Sequence, residues 1–204
     1  MRRFRLVSLI ALATIVLGLV PQATFAEGHF QDPSKQTVLI GEANLADMRV
    51  KLELEPPKPM TMLMDGQWTE MAMAMGKYHV EVKPEDPKSN TRIPYAQVSF
   101  LATNQDTGHK VELDLHPMWG GSGLHYAANG DLPDGTYSAT VIVGPPSFMR
   151  AGDDRQRWLM PTQADFEFTL DNGLLASAKV VEDAEMMKIE TAPSEPMPGM
   201  PGMP

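Results

Sequence analysis

Three short stretches of this 204-residue sequence carry side chains able to do coordination chemistry. In His79-Val80-Glu81 an imidazole and a carboxylate stand at i and i+2. An extended strand puts both on one face, where they can reach one cation or pair with each other. In Leu115-His116-Pro117-Met118-Trp119-Gly120-Gly121-Ser122-Gly123-Leu124-His125-Tyr126, a His-Pro-Met turn precedes a glycine-rich stretch. Read as a loop on a rigid scaffold, this stretch folds back so that Met118 and His125 meet. The third stretch alternates Met60, Met62 and Met64, then Asp65-Gly66-Gln67-Trp68, then Met71, Met73 and Met75. If both flanks are extended around a turn, the thioethers of each project to one side, about 7 Å apart. Thioether is a soft, uncharged donor that suits Cu(I) and is poor for zinc, calcium or magnesium. Each motif also has a plainer reading: a surface His beside a surface Glu, a glycine-rich connection, and methionines that fill an irregular core. His29 and His109 read as solvated, and so do the acids between 182 and 190.

The sequence holds 16 methionines and no cysteine, which removes disulfides, iron–sulfur clusters, thiolate nucleophiles and Cys-based zinc or copper centres. A metal here must be held by Met, His, Asp or Glu. No Gly-x-Ser-x-Gly elbow, phosphate loop or His-Glu-x-x-His motif occurs. The reading is a binding protein and not an enzyme.

The elements that must position these residues are short strands. Met48, Val50, Leu52 and Leu54 alternate with charged residues, the period-2 pattern of a strand with one buried face. Further strands are expected over 37–40, 78–82, 95–103, 110–115, 136–143 and 164–170. Between them, Asn104-Gln105-Asp106-Thr107-Gly108, Asn129-Gly130, Asp134-Gly135 and Asn172-Gly173 read as turns. Helical periodicity is missing, so the expected fold is all-β, an immunoglobulin-like antiparallel β-sandwich over 37–180.

The ends differ in kind. Arg2, Arg3 and Arg5 precede an apolar run over 6–20 and a small residue at Ala26, the pattern of a signal peptide over 1–26, too short for a membrane span. A periplasmic location without membrane insertion is expected, with a leader over 27–36. Cleavage removes three Arg and no acid, leaving 14 basic against 26 acidic residues and a net charge of −12. That surface repels nucleic acid and favours cations. Proline, glycine and methionine at high density make 181–204 a tail that builds no core.

Gly41-Glu42, the 95–103 strand with its Asn104 to Gly108 turn, Pro117-Met118, and above all Gly123-Leu124-His125-Tyr126-Ala127-Ala128-Asn129 resemble the periplasmic metal-binding proteins that accompany bacterial high-affinity iron permeases. The resemblance continues past Trp158 to Phe168, and His79 and Glu81 ahead of Pro94-Tyr95 fit it. It implies an immunoglobulin-like fold, a homodimer, the inner-membrane iron permease system as partner, and copper, Cu(II) or Cu(I), as the metal, with iron a second candidate. By position it implies His79, Glu81, Met118 and His125 as ligands. A further family His, shortly before the Trp of the last loop, is replaced here by Phe148-Met149-Arg150-Ala151, and His116 or Met149 is available for that place.

Three functions are therefore open: a copper-binding protein supporting iron uptake, a periplasmic Cu(I) chaperone or tolerance protein that uses the Met-rich segments, and a non-metal immunoglobulin-like interaction module.

Overall fold

The computed structural model describes residues 30–70 and 76–181. The signal peptide read over 1–26, His29, Met71, Met73, Met75 and the tail from 182 onward lie outside the described residues. Twelve strands run β1 (Val38–Asn44), β2 (Arg49–Glu55), β3 (Thr61–Met64), β4 (Gln67–Glu70), β5 (Tyr78–Asp86), β6 (Thr91–Arg92), β7 (Val98–Asn104), β8 (Lys110–Gly120), β9 (Gly123–Gly130), β10 (Gly135–Val143), β11 (Thr162–Asp171) and β12 (Leu174–Val180). The only helical turn among the described residues is a 3-10 segment over Gly152–Gln156. The all-β antiparallel fold expected from the alternation is the fold observed.

Two layers share one strand. Residues 110–115 of β8 pair with β7, which continues through β10 and β11 to β12. Residues 116–120 of the same strand pair with β9, which continues through β5 and β2 to β1. Inward-pointing Val50, Leu52, Leu54, Val80, Val82, Tyr126 and Ala128 of the second layer join Phe100, Tyr137, Val141, Phe166 and Phe168 of the first in one core. Full burial of each large apolar side chain is worth roughly 1.5–3 kcal/mol. The Tyr126 hydroxyl is satisfied there, donating to Ile93 O at 2.9 Å and accepting from Ala96 N–H at 3.0 Å.

The strand alternation that fills the core also selects the opposite face. In the second layer the residues 53 and 55 of β2, 79, 81 and 83 of β5, 125, 127 and 129 of β9, and 116 and 118 of β8 all point outward by register. Yet every residue of β5 is buried. The outer face is covered where the chain leaves β2: Pro56, Pro57 and Pro59 prevent it from continuing as a central strand. The backbone of Lys58 instead hydrogen-bonds the side chain of Asn129 in both directions.

Three expectations need correction. The 115–126 stretch is a hairpin of two strands with Gly121-Ser122 at its tip, where a glycine-rich loop was expected. Pro117 is tolerated because this half of β8 is the edge of its layer. Asn129-Gly130 is the end of β9 and not a turn; Gly130 lies so close to Gly76 that a Cβ on Gly76 would meet its backbone at 2.3 Å. The turn in the methionine motif is only Asp65-Gly66, with φ of 50° and 76° at the two positions, as a tight hairpin turn requires. Gln67 and Trp68 already belong to β4.

Candidate metal centre

His79 and Glu81 project from the outer face of β5, two residues apart as the strand period demands, and His125 joins them from the neighbouring β9. All three are buried, at 0%, 0% and 3% exposure. One donor atom from each lies within 4.8 Å of the other two. That span is slightly wider than the roughly 4 Å separating donors that bind one transition-metal ion at about 2 Å each.

Hydrogen bonds dictate which atoms face inward. Asn129 Nδ2 donates to Lys58 O at 2.8 Å while its Oδ1 accepts Lys58 N–H at 3.3 Å, which fixes the orientation of the amide. The same Oδ1 lies 2.8 Å from His79 Nδ1, so this nitrogen carries the proton and donates it. His79 Nε2 is left as a bare lone pair, buried and without a partner. His125 repeats the device: Nδ1 donates to Gly123 O at 2.9 Å, and Nε2 turns toward Glu81 Oε2 at 3.8 Å. Burial pushes the His79 imidazole below its ordinary pKa, keeping it neutral and able to ligate. The two rings stand edge to face with centroids 6.4 Å apart.

The carboxylate is equally asymmetric. Oε1 of Glu81 accepts from Ser122 Oγ at 3.0 Å and from Lys83 Nζ at 2.7 Å, whereas the buried Oε2 has no hydrogen-bond partner. Burial would raise Glu81, but neighbouring Glu55 and the Lys83 ammonium outweigh it and hold the group ionised. Glu55 is raised instead, by its burial and by the neighbouring Glu81. Glu53 and Glu55 draw close to Glu81 across the β2–β5 register, forming an acidic group beside the histidines. Lysines already answer that charge: Lys83 Nζ lies 2.5 Å from Glu53, and Lys58 pairs with Glu55.

Of the other residues singled out in the sequence, Met118 stands directly across β8–β9 from His125 and is half-buried, so its thioether belongs to the same wall. His116 is exposed one step along β8, opposite Ala127, and is not among the three converging donors. Met149 is fully exposed, at the rim of a separate cavity of about 280 Å³ lined by Asp86, Arg92, Phe148, Arg157 and Trp158. The structure thus does not bring Met149 to the cluster. Asn129, Lys58, Lys83, Ser122 and Glu55 are the positions that sequence reasoning missed. Lys83 was accessible in principle, being the next residue but one after Glu81 on the same strand face. Asn129 was hidden because Asn-Gly reads as a turn.

Residues 40–171 match the family described as Fe2+ transport protein. The chain belongs to that family. No curated protein sequence matches it closely. Among solved structures, this Fe2+ transport protein family member is similar to the copper-reconstituted P19 protein of Campylobacter jejuni, at 24% identity and a TM-score of 0.54 over 66% of this chain and 96% of that one. It is also similar to FetP of a uropathogenic Escherichia coli strain, at 24% identity and a TM-score of 0.53 over 71% and 98% of the two chains. A copper-bound variant of FetP matches at 26% identity, with a TM-score of 0.51 over 66% of this chain and 97% of that one.

Proposed function

We propose that this protein is a periplasmic copper-binding protein that supports high-affinity iron uptake. Nε2 of His79, Nε2 of His125 and Oε2 of Glu81 would hold the metal, and the Met118 thioether is placed to complete the set. The observation that carries the reading is the pair of buried donor atoms without a hydrogen-bond partner, His79 Nε2 and Glu81 Oε2, in a cluster where His125 Nε2 lies 3.8 Å and Lys58 Nζ 3.9 Å from Glu81 Oε2. A buried polar atom without a partner costs roughly 1–3 kcal/mol, and a bound cation removes that cost. Thioether beside imidazole and carboxylate favours copper over zinc or calcium. The copper in the FetP variant supports the same choice. Copper held by such a mixed set is stable in both oxidation states and supplies one-electron chemistry when bound.

The chain's own residues do the preparatory work. Asn129 and Gly123 O hold the imidazole protons on the far nitrogens, Ser122 and Lys83 occupy the other carboxylate oxygen, and the Pro56 to Pro59 segment keeps water off the donors. Membership of a family described as Fe2+ transport protein supports a role in iron transport, and we propose an inner-membrane iron permease system as partner and a homodimeric assembly. Among the described residues no helix is long and apolar enough to cross a membrane.

The test is metal analysis of the mature protein with copper titration in both oxidation states, beside a His125→Ala variant. About one tight copper per chain, lost in the variant, is expected. Equal copper binding by the two proteins would overturn the assignment. A wild-type protein that resists loading would favour the non-metal interaction module.

A further inference from the structure

The methionine motif is not absorbed by the His79, Glu81 and His125 cluster. Among the described residues strands β3 and β4 pair only with each other, and all eight of their residues are exposed. Their register places Met62 opposite Thr69, and Met64 opposite Gln67, on one face of the hairpin, while Leu63 and Trp68 share the other. Met62 and Met64 are 49% and 47% exposed. A methionine used as core filler is buried against apolar neighbours. These two are presented to solvent, two residues apart, on long unbranched side chains that reach one another across the strand's roughly 7 Å repeat. Met60 continues the row at the base of the hairpin. It is only 5% exposed, yet it stands outside the sandwich core. It lies two residues from Lys58, whose backbone is stapled to Asn129 and through it to His79.

Among the described residues the strand positions of this face carry no carboxylate or imidazole, Asp65 lying in the turn beyond Met64. Its remaining side chains are those of Gln67 and Thr69, with Glu70 on the opposite side of the hairpin. A divalent cation that wants carboxylate or imidazole finds neither there, whereas two thioethers suit a soft monovalent ion. A chain of net charge −9, or −12 once the expected signal peptide over 1–26 is removed, concentrates cations of any kind near its surface.

We propose that the Met62 and Met64 face of the β3–β4 hairpin is a second metal site, selective for soft monovalent cations of the Cu(I) type, with buried Met60 at its inner end. The site is separate from the His79, Glu81 and His125 cluster and stands whether or not that cluster holds copper. An isolated two-stranded hairpin is marginal by itself, and a bound ion stabilises it by linkage.

The experiment is methyl NMR of the mature protein labelled at the methionine methyl carbons, titrated with Ag(I) as a redox-inert probe for Cu(I) and with Zn(II) as a control. A Met62→Leu/Met64→Leu double variant keeps size and apolarity, and His125→Ala removes the other site. The Met62 and Met64 methyl resonances are expected to move with about one equivalent of Ag(I), in both wild type and His125→Ala, and to ignore Zn(II). The double variant should bind at least one Ag(I) fewer per chain while its Cu(II) titration is unchanged. Methyl resonances that stay still, that move only with a large excess of Ag(I), or that respond equally to Zn(II) would overturn the proposal. So would a double variant with wild-type Ag(I) stoichiometry. Loss of Cu(II) binding in His125→Ala reads out the other site alone, so the two proposals fail separately.

Discussion

Asn129 decides the protonation of His79: its amide oxygen accepts from Lys58 N–H and sits 2.8 Å from Nδ1, so the ring can present only Nε2 to the interior of the cluster. On the proposed reading, the ligand set would be ordered by a residue that is not itself a ligand. Replacing Asn129 with Ala frees the imidazole to rotate and to change tautomer. Copper affinity is expected to fall about 10–100-fold, as for other outer partners of ligating histidines, with the far-UV spectrum unchanged. Competition titration against a chelator of known affinity checks this; an affinity within twofold of wild type would remove Asn129 from its orienting role.

Lys83 answers two carboxylates at once, Glu53 and Glu81. Burial would lower its ammonium, but those two partners outweigh it and raise it. In Lys83→Met the buried Glu81 carboxylate loses its nearest cation, at a cost of about 3 kcal/mol in the metal-free protein. A cation bound by Glu81 replaces the lost charge. Thermal melts with and without copper should therefore show a larger copper-induced rise in Tm for the variant than for wild type. An equal rise would mean that Lys83 and the metal do not share the Glu81 charge.

Met118 faces His125 across a strand pair and, among the described residues, supplies the only thioether on the wall of the cluster whose place is fixed by register. Met118→Leu keeps volume and apolarity but removes the soft donor. Cu(I) affinity is expected to drop by about tenfold or more while Cu(II), served by imidazole and carboxylate, changes little. Parallel losses for the two oxidation states would show that the thioether does not select between them.

A fourth expectation concerns pH and a part of the molecule remote from the cluster. Arg157 Nη2 donates to Asp86 Oδ1 at 2.5 Å, both side chains being nearly buried. That guanidinium, helped by Ser89 and Lys88 N–H, holds the Asp86 carboxyl well below its usual range. A carboxyl lowered by folding stabilises the native state above its unfolded pKa of about 3.9, and the contribution fades as pH falls below that. Asp86→Asn should cost about 2–3 kcal/mol at pH 7, a Tm drop on the order of 5–10 °C. Calorimetry should find the gap between variant and wild type narrowing below pH 4. A gap that stays constant to pH 2 would assign the cost to packing.

The alternation of β2 and β5 was legible because each strand has one face in the core, and a period of two leaves no other arrangement for Val80 and Val82 between His79, Glu81 and Lys83. His79 and Glu81 followed from that alone. His125 and Met118 were brought together correctly but for the wrong reason. Three glycines suggested a flexible loop, whereas Gly120 and Gly123 end two paired strands. What stayed illegible depends on tertiary contact: the strap of 56–60 over β5, the amide of Asn129 turned to meet it, and the lysines folded back onto β2 and β5. Nothing local marks Lys58 as a cover. β12, with its half-exposed small residues, gave no alternation to detect.

The strap fastened by Lys58 to Asn129 makes entry and order a single event. Any opening that lets a metal or a water reach Glu81 Oε2 past this segment also unpins the Asn129 amide, and with it the proton of His79. On the proposed reading, an ion entering past this segment would meet a loosened ligand set and complete it as the latch recloses. If departure takes the same route, the exchange rate of a bound ion would follow the opening of this proline-containing segment rather than the strength of any one bond to it.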